Sequence, residues 1–215
     1  MVALADPIPP SQLADWATFG AHIVPLSVEQ YHEMIRTGII PEGSPIELLD
    51  GVLVLKDRSR RGEPLMSIDP LHATAVENLG DLRPQLMPLG LDVRSQQPIT
   101  IPPRSEPEPD GSILRGPRSR YAKAHPSPAD ICCVFEASDS SLRYDRTTKV
   151  RIYARAGIPQ YVIINIVDDV IEVFESPDAA AGTYAAPKII PRDGVVTLKL
   201  FDGKTLDVPA SKLLP

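Results

Sequence analysis

Three acidic residues stand where apolar strands are expected: Glu47, Asp110 and Glu136. Glu47 sits in PIELLDG, Asp110 in PEPDGSIL, and Glu136 closes the run ICCVFE. An acid in such a place is costly to bury unless a cation or a proton meets it. Three carboxylates gathered on one sheet repel one another unless a divalent cation lies between them. Mg²⁺ suits two or three acids, because it takes few protein carboxylates, keeps several waters and binds phosphate oxygens. A fourth residue, Lys149, falls on the helix expected after Glu136. A lysine beside such a site can hold or help deprotonate a metal-bound water and stabilise charge growing on phosphorus.

The elements that must position these groups centre on residues 130–165. Ile131 to Phe135 is apolar on both faces, the pattern of a central strand covered on both sides. The loop ASDSS follows, rich in turn formers. A helix is then expected from about Tyr144 to Ala156, with Asp145 in its first turn and Gly157 as its stop. On it Lys149, Ile152, Tyr153 and Ala156 share a face, while Thr148, Arg151 and Arg155 lie on another. Lys149 therefore borders the apolar stripe, within reach of the sheet.

Upstream, residues 1–24 read as an extended N-terminal arm. Ser27 and Gln30 form a capping-box pattern for a helix running to about Thr37 and stopped by Gly38. Ile46–Leu49 and Val52–Lys56 flank Asp50-Gly51, a hairpin signal. Residues 57–68 are a polar loop with three arginines. Asp69-Pro70 starts a second helix, carrying His72, which Pro84 ends or kinks and Gly90 stops. Leu91–Ile101, broken at Pro98, and Asp110–Leu114 read as strands, followed by a basic, proline-rich excursion over 115–128. After the central strand and helix, Tyr161–Val167 and Val170–Glu175 form a hairpin across Asp168-Asp169. Tyr184–Ile190, Val195–Leu200 and Leu206–Val208 are the last strands. The order predicts a mixed sheet with helices against it, an α/β or α+β fold in one domain over residues 25–215.

The composition narrows the function classes. No apolar run approaches the ~18 residues of a membrane span. MVALADPIPP lacks the basic start and apolar core of a signal peptide, so a cytoplasmic protein is expected. The only cysteines, Cys132 and Cys133, are adjacent in the predicted buried strand and read as small core residues. A net charge of −6 argues against a surface that coats nucleic acid broadly. Residues 115–155 nevertheless hold nine Lys/Arg and four Asp/Glu, leaving this segment +5 in a chain that is otherwise −11. That distribution fits a basic rim around an acidic centre, although surface charge also varies along any chain.

The runs IELLDG, PEPDGSIL, CVFEASDSS and YDRTTKVRIYARAGIPQYVIIN resemble a large bacterial family labelled putative restriction endonucleases, which is similar to the PD-(D/E)xK nuclease superfamily. The resemblance spans roughly residues 27–210. By it, Pro109-Asp110 matches the PD element, Glu136 the second acid, and Glu47 the acid of an early E-L-x-D-G signature. In the wider superfamily the lysine lies two residues after the second acid. That position is Ser138 here, and the resemblance implies displacement of the lysine to Lys149. It further implies a restriction-endonuclease-like mixed β-sheet flanked by helices and a Mg²⁺ (or Mn²⁺) dependent endonuclease hydrolysing phosphodiester bonds of nucleic acid, DNA foremost. Asp110 and Glu136 then hold the metal, Lys149 positions the attacking water, and Glu47 assists through a second metal or a water. Many such nucleases pair as homodimers.

Each residue also has a plainer reading. Asp110 can cap a turn before Gly111, Glu136 can accept from the amides of the following loop, and Glu47 can be a cross-strand partner. His72 suits a general base, though a first-turn histidine is more often structural or solvent-facing. Gln97 can bond near the site or satisfy backbone. Tyr153 and Tyr161 read as core residues. Asp145 and Lys149, at i, i+4, can be a surface ion pair worth ~0.3–0.5 kcal/mol. The alternative function is a non-catalytic interaction or nucleic-acid-binding module that keeps the nuclease fold.

Overall fold

The computed structural model describes residues 24–56 and 69–215. They form two compact units, one of residues 24–56 with 101–107 and one of residues 69–100 with 108–215. Apart from Val24, the expected N-terminal arm lies outside the described residues, as does the polar loop over 57–68. No helix among the described residues is long and apolar enough to cross a membrane.

In the smaller unit, helix α1 (Val28–Arg36) starts at the expected capping box. The Ser27 hydroxyl accepts from Gln30 N–H at 3.2 Å, and Gln30 Oε1 accepts from Ser27 N–H at 2.8 Å. Two otherwise orphaned amide donors are thereby satisfied. Strands β1 (Ile46–Leu49) and β2 (Val52–Leu55) pair antiparallel. Asp50 and Gly51 turn between them with φ of +49° and +84°, as a tight hairpin requires. Gly51 is further confined because a Cβ there would lie 2.4 Å from Pro25 Cβ. Val28, Tyr31, Ile40 and Leu48 form this unit's core.

The larger unit is built on a six-stranded sheet in the order β3-β4-β5-β6-β7-β8. Its strands are Leu91–Ser95, Gly111–Arg115, Ile131–Ser138, Gln160–Asn165, Val170–Glu175 and Lys188–Pro191. Only β5 and β6 are parallel, because the helical crossover lies between them; the other neighbours are antiparallel. This is the mixed sheet flanked by helices that the residue pattern predicts.

One face of the sheet packs against helix α2 (Pro70–Gly80) and a hairpin of β9 (Val195–Lys199) and β10 (Thr205–Pro209). Asp69 caps α2, accepting from Leu71 N–H at 2.8 Å, with Pro70 at the first position. Pro84 does not simply end the pattern. A short helix α3 (Arg83–Leu86) and a 3₁₀ turn continue to Gly90, whose φ of +73° stops them. Cys132 and Cys133 are buried and unbridged, and burial pushes the Cys132 thiol up to about 12. The other face carries Val134, Glu136 and Tyr161 toward the crossover helices, where Tyr153 and Tyr161 pack with ring centroids 5.0 Å apart.

Two departures from the expected elements matter for chemistry. Strand β5 runs on to Ser138, so Glu136 lies inside a buried strand and not at its end. The helix starts before Tyr144 and is not uniform. α4 (Leu142–Tyr144) passes through a π-helical turn, Asp145–Lys149, into α5 (Val150–Arg155).

Candidate active site

The site forms where β4 stops and β5 continues. The β4–β5 ladder ends at the pair Gly111–Phe135, while β5 stays paired to β6 as far as Ser138–Asn165. The main chain of Ala137 is thus left without a strand on the β4 side. Buried backbone groups need partners, and side chains supply them here. Asp110 Oδ2 accepts from Ala137 N–H at 3.0 Å, and His72 Nδ1 lies 3.0 Å from Ala137 O. A carbonyl only accepts, so Nδ1 is the protonated nitrogen in this contact. The other imidazole nitrogen, Nε2, faces Asp110 Oδ1 at 3.2 Å. Asp110 and His72 therefore meet at the Ala137 peptide.

Local sequence explains the convergence. His72, Ala75 and Leu79 fall at i, i+3 and i+7 of α2, so they share the face turned to the sheet. Ala75 and Leu79 are fully buried. Gly111 allows that approach, since a Cβ there would lie 2.6 Å from Leu79 Cδ1. With α2 seated this closely, His72, two turns before Leu79, reaches the sheet end beside Asp110.

Glu136 and Lys149 meet on the sheet face that the crossover helices cover. Lys149 is 3% exposed and Glu136 5%, and Nζ lies 3.0 Å from Glu136 Oε1. The Tyr153 hydroxyl donates to the same oxygen at 2.9 Å. These charge-assisted bonds fix the carboxylate's orientation. The π turn explains why the lysine points inward. Val150 N–H reaches back five residues to Asp145 O, a wider turn than the α-helix, and the buried Tyr161 hydroxyl donates to that same carbonyl at 3.2 Å. Both Asp145 and Lys149 are brought inside by it.

Asp145 is consequently not the surface partner that i, i+4 spacing suggests. It is 3% exposed and accepts from Ser138 Oγ at 2.7 Å and Ser141 Oγ at 2.6 Å. Desolvation raises its carboxyl above the usual range, against the opposing pull of Lys149 and the two hydroxyls. Ser138, at the position where the wider superfamily places lysine, is the residue that ties the strand end to Asp145 and hence to the helix carrying Lys149.

Of the four acids and bases singled out by sequence, Asp110, Glu136 and Lys149 lie in the larger unit, Asp110 bonding the Ala137 amide and Glu136 preceding Ala137 in β5. Glu47 lies in the smaller unit, 3% exposed, with Lys56 Nζ 3.7 Å from its Oε1. His72 holds the Ala137 carbonyl, a structural contact of the kind a first-turn histidine suggests, and its shared spacing with Ala75 and Leu79 signals its inward face. Tyr153 packs in the core as expected and also bonds Glu136. Gln97 accepts from Arg94 Nη2 at 3.2 Å. Among the described residues, no three His, Cys, Asp or Glu side chains gather closely enough to form a metal cluster. Asp110 and Glu136 each offer carboxylate oxygens, hard donors of the kind Mg²⁺ takes while keeping waters.

The comparisons agree with this architecture. A crystal structure described as that of a putative nuclease belonging to DUF820 from Anabaena variabilis ATCC 29413 is similar, with a TM-score of 0.60. It covers 88% of this chain and 97% of its own at 13% identity, a likeness of fold. No curated protein matches. The family model described as "Uma2: Putative restriction endonuclease" matches residues 28–209, from the first described helix to the last strand, and the chain belongs to that family.

Proposed function

We propose that the protein is a Mg²⁺-dependent endonuclease that hydrolyses nucleic-acid phosphodiester bonds, DNA foremost. The observation that carries the reading is the buried Lys149–Glu136 pair beside the Asp110–Ala137 junction. A lysine is buried at a cost, and it serves no packing role that an apolar residue would not serve better. Family membership supports the same reaction class.

Asp110 and Glu136 are the residues that would hold the metal. A bound Mg²⁺ supplies Lewis-acid polarisation of the phosphate and lowers the pKa of a bound water. Lys149 holds the attacking water and stabilises the charge that develops on the phosphate oxygens. Tyr153 keeps Glu136 oriented while Lys149 is engaged. His72 holds the Ala137 carbonyl and faces Asp110, keeping the two acids in register across the end of β4.

Calorimetry with Mn²⁺ tests the metal part of the proposal and separates it from a non-catalytic binding module. Wild type is expected to bind about one Mn²⁺, and Glu136→Gln and Asp110→Asn to bind it at least ~10-fold more weakly. A wild type that binds no Mn²⁺ in the presence of an oligonucleotide would favour the binding-module reading.

A further inference from the structure

A second chemically distinct corner lies at the other end of β4. Asp110 precedes the strand and Arg115 closes it, so the two are roughly 17 Å apart at ~3.4 Å per residue. A cavity of about 160 Å³ opens there between the turn before β3, the end of β4 and the turn joining β9 to β10. Arg115, Arg120 and Lys204 bring three positive charges to its wall, and Asp202 brings one negative charge.

The cations are largely uncompensated. Among the described residues, neither Arg115 nor Lys204 has a carboxylate within 4.0 Å. Arg120 has a long contact to Asp130, at 3.6 Å. The Arg115 guanidinium sits over Phe201, its central carbon 3.8 Å from the ring centroid. Such stacking fixes the planar fork and leaves its other face and N–H edge for a ligand. Lys204 is held by the same turn, since Lys204 N–H bonds Phe201 O at 3.2 Å and Leu200 N–H bonds Lys204 O at 2.8 Å. The floor is backbone. Gly116 N–H bonds Gly90 O at 2.8 Å, and a Cβ on Gly116 would sit 3.1 Å from that oxygen.

We propose that this cavity binds a phosphate-bearing nucleotide, with Lys204, Arg120 and the Arg115 fork on the phosphate and the base stacked on the Arg115–Phe201 platform. Positive charge selects the phosphate, and a guanidinium already stacked on an aromatic ring offers a flat surface for a base. The nucleotide is either free or the terminal one of a nucleic-acid strand, which present the same chemistry. The site is separate from the Asp110–Glu136 centre, so it stands whether or not that centre cleaves.

Titration calorimetry in EDTA with AMP, inorganic phosphate and a 5′-phosphorylated single-stranded oligonucleotide tests the assignment. AMP is expected to bind more tightly than phosphate. Lys204→Glu and Arg120→Glu, both at exposed side chains, should each weaken AMP by about 10-fold or more, the loss of a charge-assisted contact. Arg115→Lys should keep phosphate binding but erase the preference for AMP. An oligonucleotide that binds more tightly than AMP, and loses affinity in Lys204→Glu, identifies the strand as the ligand; AMP the tighter identifies the free nucleotide. No binding of any of the three by wild type overturns the proposal. So does AMP affinity unchanged in Lys204→Glu and Arg120→Glu, or phosphate bound as tightly as AMP.

Discussion

Replacing Lys149 by methionine removes a charge and keeps most of the packing volume. The structure fixes what is lost. Lys149 and Glu136 have side chains 4% and 7% exposed, with Nζ and Oε1 3.0 Å apart. At an effective dielectric of ~20, two unit charges at that distance attract by about 5 kcal/mol, against which both pay desolvation. The methionine variant keeps the second desolvation penalty and loses the attraction, while the Tyr153 hydroxyl still bonds Glu136 Oε1. Breaking one half of a buried pair costs about 3–5 kcal/mol. Urea unfolding in EDTA of wild type, Lys149→Met, Glu136→Gln and the double variant measures it. The double variant should be more stable than the sum of the singles predicts, with a coupling of about 2 kcal/mol or more. A Lys149→Met cost under about 1 kcal/mol, the value of an exposed pair, would refute a buried partnership.

Three other perturbations test neighbouring parts of the account. His72→Ala leaves the Ala137 carbonyl without its imidazole donor and should cost about 1–3 kcal/mol in urea unfolding; a neutral result would show that His72 does not hold the strand end. For Asp145, a carboxyl raised from its ordinary 3.8 binds more protons folded than unfolded. The stability it contributes is therefore full below 3.8 and lost as pH rises through the higher folded value, so Asp145→Asn should flatten the fall in stability above about pH 4. Parallel pH profiles of the variant and wild type would contradict that environment. Gly51→Ala must place a Cβ against Pro25 at a φ of +84° and should lower the melting temperature measurably, at a cost of at least about 1 kcal/mol; an unchanged melt would show that the hairpin turn yields easily.

Periodicity and capping chemistry made most elements legible. Ser27 with Gln30, Asp50-Gly51 and Asp69-Pro70 each marked a boundary that the structure keeps. The two-faced apolar run at 131–135 located the central strand, but polar residues beyond it hid the strand's last turns. Glu136 and Ser138 stay in the strand because β6 pairs with them and side chains from the crossover helix meet them. The π turn has no single-residue signature, so the burial of Asp145 was not legible; an i, i+4 acid and lysine look the same on a solvated α-helix. His72 shows the limit differently. Its spacing with Ala75 and Leu79 was readable, while its contact with Ala137 depends on β4 ending at Gly111, which only the sheet register reveals.

The central claim is that Lys149 acts with a metal held by Asp110 and Glu136 on a phosphodiester. The most direct measurement is the single-turnover rate of Mg²⁺-dependent cleavage of single- and double-stranded DNA and RNA by wild type, Lys149→Ala and Lys149→Arg. The account predicts cleavage by wild type that EDTA abolishes and a rate about 10²–10³ lower in Lys149→Ala. It predicts incomplete rescue by Lys149→Arg, whose guanidinium is larger and does not deprotonate. Cleavage at the wild-type rate by folded Lys149→Ala, or no cleavage of any substrate by wild type with Mg²⁺ or Mn²⁺, would contradict it.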